Sequence, residues 1–107
     1  MNNVKYIAMG LCGAALFGSV VNAAEFEVGQ TNKAFTEKAM SIKVGDKIKF
    51  TNNDPFFHNV FSLSDIQTFD LGSYPKGQSK IVTFDKAGKV DVECAIHPKM
   101  RLTVEVK

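Results

Sequence analysis

From Lys89 to Cys94 polar and apolar residues alternate without a break. The pattern returns near the end of the chain, where Leu102, Val104 and Val106 interleave with Arg101, Thr103, Glu105 and Lys107. Successive side chains of a strand point to opposite faces, so period two without a helical period restricts these stretches to half-buried strands. The same parity predicts a short opening strand on Phe26 and Val28, a loop from Gly29 to Ala34, and a strand on Met40, Ile42 and Val44. After a turn at Gly45-Asp46, Ile48 and Phe50 mark a strand that stops at the turn formers Asn52-Asn53-Asp54-Pro55. These two strands read as a hairpin. Further strands are predicted over His58 to Ser62, around Val82 and Phe84, and over Lys89 to Cys94. The interval from Leu63 to Gln78 lacks clean alternation and reads as a loop with one helical turn near Ser64 to Gln67. About seven short strands with frequent turns imply an all-β sandwich or barrel.

The first 23 residues read as a secretory signal peptide. Lys5 is the positive n-region, Tyr6 to Val21 the apolar h-region, and Val21-Asn22-Ala23 a small-residue cleavage site. The apolar run is short for a membrane span, which needs about 20 residues. Cleavage after Ala23 leaves residues 24–107 as one exported domain, expected in the periplasm or secreted and without a membrane span. That domain keeps twelve basic and eleven acidic residues. Its near-neutrality argues against a nucleic-acid partner, because phosphate binding leans on clustered Lys and Arg. Cys12 leaves with the signal, and Cys94 remains as a single thiol that cannot form an internal disulfide. Such a thiol is reactive, paired between molecules, buried or metal-bound.

Cys94-Ala95-Ile96-His97-Pro98-Lys99-Met100 spaces a thiol, an imidazole and a thioether three residues apart, and His58 is the other histidine. Thiolate and thioether are soft ligands and imidazole is borderline, a mixture that suits copper in both oxidation states. His58, Cys94, His97 and Met100 are together the ligand set of a type 1 site. Strand parity aims Cys94 inward, and a short loop to the last strand can bring three of the four to one point. Each residue also has a plainer reading: Cys94 and Met100 as core filler, His58 as a half-buried histidine, His97 as a solvated loop residue. Those readings must all hold at once for the metal to be absent. The haem pattern C-x-x-C-H is missing, and structural zinc makes little use of methionine. With four ligands already used, no open position remains for a substrate, so an enzyme is not expected.

These residues make the chain similar to the cupredoxins, in particular the plastocyanin/amicyanin-like group. Cys94-x-x-His97-Pro98-x-Met100 has the short spacing of the amicyanin type, where plastocyanins place the methionine further on, and His58-Asn59-Val60 and Phe69-Asp70-Leu71-Gly72 match the group upstream. The resemblance covers roughly Met40 to Lys107. It implies a Greek-key β-sandwich with one copper ion, held by His58, Cys94 and His97 with Met100 axial. It also implies that Asn59 joins the two ligand segments and that His97 is the electron port at the surface. Val92 departs from relatives that carry an aromatic two residues before the cysteine. The function implied is single-electron carriage between a donor and an acceptor redox protein, by a monomer. Copper tolerance or delivery through the same site is the alternative, and a metal-free interaction module the third reading. With no Met- or His-rich tract beyond these residues, electron transfer is preferred.

Overall fold

Residues 23–107 are described by the computed structural model; the expected signal peptide, apart from Ala23, lies outside the described residues. The described chain holds nine strands and no helix. They are β1 (Glu25–Thr31), β2 (Ala34–Phe35), β3 (Ala39–Ile42), β4 (Lys47–Asn52), β5 (His58–Ser64), β6 (Gln67–Tyr74), β7 (Ser79–Thr83), β8 (Gly88–Cys94) and β9 (Arg101–Val106). Two sheets form, in the orders β2-β1-β4-β7 and β3-β9-β8-β5-β6. Their inward faces meet in one core, as the alternation requires. Val90, Val92 and Cys94 of β8 and Leu102, Val104 and Val106 of β9 are all buried. Full burial of a Val or Leu side chain contributes about 1.5–3 kcal/mol, so these two central strands anchor the second sheet.

The predicted hairpin between the second and third strands does not form. β3 runs parallel to β9, with Ile42 opposite Val106, while β4 lies in the other sheet between β1 and β7. The Gly45-Asp46 turn therefore carries the chain across the sandwich. Gly45 N–H donates to the Phe84 carbonyl at 2.7 Å, and Asp46 accepts from the Lys43 and Ala24 N–H groups, both at 2.9 Å. The turn closes on Lys43 and is tied to the distant Ala24 and Phe84, and the strands on either side of it do not pair with each other. Val44, expected on the buried face, is consequently exposed.

Half of the predicted loop from Leu63 to Gln78 is the strand β6, and β2 is a further short strand; these are the two beyond the seven expected. β6 hid from the parity test because it carries a bulge. Asn59 opposes Ser73 and Phe61 opposes Asp70, so two residues of β6, Leu71 and Gly72, face the single Val60. Gly72 adopts φ 71°, and its N–H donates to Asp70 Oδ1 at 2.9 Å. The extra residue resets the parity, so that Tyr74 points inward along with Phe69 and Leu71. Among the described residues, Phe35, Phe50 and Phe84 are buried, Phe56 and Phe61, which flank His58, are half-buried, and Phe57 is exposed.

Candidate metal centre

Strand pairing brings the chemistry-bearing residues together at one end of the sandwich. β5 and β8 are antiparallel neighbours with Val60 opposite Cys94, and His58 lies on the same inner face two residues before Val60. Just beyond Cys94, the Ala95 N–H donates to the Asn59 carbonyl at 3.2 Å, so the two segments are joined through their backbones at Asn59. The loop then folds on itself, with Met100 N–H donating to the His97 carbonyl at 2.9 Å before β9 begins. A tight loop of this kind returns the His97 ring toward the sulfur it follows.

Cys94 Sγ is 3.7 Å from His58 Nδ1 and 3.7 Å from His97 Nδ1. All three donor atoms lie within 4.8 Å of one another, and the two rings are 4.9 Å apart between centroids. Donors held about 2.1 and 2.3 Å from one ion at trigonal angles would be about 3.8 Å apart, so the spacing suits a single ion. Cys94 and His58 are buried and His97 is half-buried. Met100 is buried at the far end of the same loop, 1% exposed. All four residues singled out in the sequence therefore fall on the two segments that meet at this end, and three of them converge in donor-to-donor contact.

The surroundings prepare both rings. Asp54 Oδ2 is 2.7 Å from His58 Nε2, so a neutral His58 that donates Nε2–H keeps its lone pair on Nδ1, facing the sulfur. Asn52 shapes the turn that presents Asp54. Its side-chain N–H groups donate to the carbonyls of Phe56 and Tyr74 at 2.8 and 2.9 Å, and its Oδ1 accepts from Asp54 N–H at 2.8 Å. Burial would push the Asp54 carboxyl up, but the N–H of Lys33, the His58 ring and the N–H of Asn32 outweigh it and hold it below the usual carboxylate value. Desolvation, then the neighbouring His58 and Lys33, depress His97 against the opposing pull of Asp54. A depressed imidazole is neutral at neutral pH, which is the form that ligates a metal. Burial, reinforced by the nearby Cys94, pushes the Tyr74 hydroxyl up and keeps it protonated; it donates to Gln30 Oε1 at 2.8 Å.

The Phe56 ring packs against both imidazoles, with centroids 5.3 Å from His58 and 5.7 Å from His97. Outside it, Phe57 and Ile96 are 53% and 56% exposed, so His97 reaches a partly apolar surface. Sequence reasoning missed Asp54, Asn52 and Phe56 as parts of the site. Asp54 and Asn52 read simply as turn formers, and only the i, i+4 spacing of Asp54 and His58 hinted at more.

The sequence pattern of the copper binding proteins of the plastocyanin/azurin family matches residues 22–107. The chain belongs to that family. It is also 34% identical over 85 residues to the methylamine utilization protein MauL of Methylorubrum extorquens, an alignment covering 78% of this chain and 75% of that protein. Among solved structures, a variant of amicyanin in its Cu(I) form superposes with a TM-score of 0.72 at 26% identity, covering 78% of this chain and 82% of that one. A purple cupredoxin from Nitrosopumilus maritimus superposes with a TM-score of 0.68 at 21% identity, covering 77% and 99%, a likeness of fold. The protein is thus a cupredoxin, an all-β sandwich that takes one copper ion. The donor set fits that ion: a buried sulfur without a disulfide partner among the described residues, facing two imidazole nitrogens.

Proposed function

We propose that this cupredoxin is an exported electron carrier, working in the periplasm, whose copper is held by His58, Cys94 and His97 with Met100 as the axial ligand. The observation that carries this reading is the approach of two imidazole nitrogens to the Cys94 sulfur at 3.7 Å in a buried pocket. Bound there, copper supplies a one-electron couple. The protein's own residues supply rigidity and access. β5 and β8 hold His58 and Cys94 in fixed register, Asp54 fixes the His58 ring, and the His97–Met100 turn sets the loop. A site held in this way changes little between oxidation states, which favours fast transfer. His97, half-buried beside Phe56 and near the exposed Ile96 and Phe57, offers the shortest route to a partner protein. Four protein ligands leave no open position for a substrate, in keeping with a carrier and not an enzyme.

Copper titrated into the purified protein should produce an intense visible thiolate-to-copper band and a reversible one-electron wave at one ion per chain. A sample that stays colourless, or a band that survives Cys94→Ser, would sink the assignment. A deletion strain that loses copper tolerance while its respiration and amine oxidation continue would instead favour copper delivery through the same residues.

A further inference from the structure

Asp54 does more than face His58. Its two carboxylate oxygens receive three donors: Oδ1 takes the Asn32 N–H at 2.7 Å, and Oδ2 takes the Lys33 N–H at 3.0 Å together with His58 Nε2 at 2.7 Å. Asn32 and Lys33 form the turn between β1 and β2, and both adopt left-handed backbone, with φ of 56° and 61°. That conformation is uncommon for residues other than glycine and is worst for bulky ones. Here it points two successive N–H groups at one carboxylate, a concave arrangement that favours an anion. Asp54 itself is 3% exposed, so its charge is poorly screened. The same turn also places Lys33 Nζ 5.8 Å from the centre of the Phe56 ring, which lies against both imidazoles.

We propose that the Asn32–Lys33 turn and Asp54 act as one clamp that positions His58 and holds a negative charge beside the copper, lowering its reduction potential. The turn is far from Cys94 in sequence, yet its two N–H groups decide where the carboxylate lies. The clamp works in two ways. It keeps His58 in the Nε2–H form, with Nδ1 free to ligate. It also favours Cu(II) over Cu(I), because a fixed anion stabilises the higher charge. Asp54 is a positioning residue; it touches the ligand and not the metal.

The inference rests on copper ligation by His58, so the experiment separates the two ideas. Wild-type protein and Asp54→Asn are loaded with copper, and their spectra and potentials are compared. Asparagine keeps the shape but loses the charge, and cannot accept from all three donors at once. The expected result is a band retained in both, with the Cu(II)/Cu(I) preference of Asp54→Asn falling at least tenfold, a rise of about 59 mV for a one-electron couple. Asp54→Glu, which keeps the charge, should lie nearer the wild type. Lys33→Val, which strains the left-handed turn, should have a higher potential than Lys33→Gly, which relaxes it; both lose the Lys33 charge, so their difference reads the turn alone. If the wild type binds copper and gives the band while Asp54→Asn keeps its potential, the clamp is wrong and the copper site stands. If the wild type takes no copper, the copper assignment falls and the clamp with it. Should Asp54→Asn fail to fold, nitrogen NMR of the metal-free wild type decides. His58 in the Nε2–H tautomer supports the clamp, and the Nδ1–H tautomer overturns it.

Discussion

At the scale of single residues, the centre is a set of side chains whose protonation is arranged before any metal arrives. Asp54 in the folded protein titrates below its usual 3.8, so it contributes stability above about pH 3.8 that is lost as the pH falls through its folded value. His97 titrates below its usual 6.5 in the fold; its neutral form is the one the fold prefers, so stability declines as the pH drops from about 6.5 toward that lower value. Both act in one direction. Denaturant midpoints of the metal-free protein should fall from pH 7.5 to pH 3, and Asp54→Asn should flatten the lower part of the curve. Met100 invites a different test. It is fully buried, so Met100→Leu conserves volume and should change stability by less than about 1.5 kcal/mol. Losing a donor sulfur should still raise the potential in voltammetry, since the axial ligand tunes it. A Met100→Leu protein with an unchanged potential would argue that the thioether is core alone.

At the scale of elements, glycines reveal where the backbone has no alternative. Gly72, at the β6 bulge, has φ 71° and open space where a Cβ would lie; Gly88, at the start of β8, has φ 140° and would place that Cβ 2.6 Å from Ile66 Cδ1. Gly72→Ala should therefore cost about 1–2 kcal/mol of conformational strain. Gly88→Ala should cost more, because the Ile66 side chain must also give way. Paired urea titrations would check the order, and an equal or reversed ranking would count against this reading of the bulge. The bulge also shows why β6 escaped the parity argument. Period two is a local signal, and one inserted residue at Gly72 shifts every later side chain to the other face. β8 and β9 carry no such insertion, and their buried faces follow from the sequence without error.

At the scale of the whole molecule, the copper site bridges β5 and the loop between β8 and β9, two segments separated by 36 residues. A small domain buries a modest share of its surface, so a ligand that binds only the folded form has a large relative effect. At a free copper concentration about 100 times its dissociation constant, the gain is about 2.7 kcal/mol, or roughly 10–20 °C in melting temperature for a domain of this size. Chelation should remove that increment in scanning calorimetry, and Cys94→Ser should melt at one temperature with or without copper.

The amino-acid sequence by itself determined the strand faces of β8 and β9, the all-β class and the three residues, His58, Cys94 and His97, whose donor atoms converge, because parity and ligand chemistry are properties of side chains and their spacing. Only the tertiary structure decided that β3 and β4 belong to opposite sheets, that β6 is a strand, and that Asp54 and the Asn32–Lys33 turn lie behind His58. Those outcomes depend on which distant backbone groups find each other. A turn former such as Asp54 looks the same in sequence whether its carboxylate faces water or a histidine.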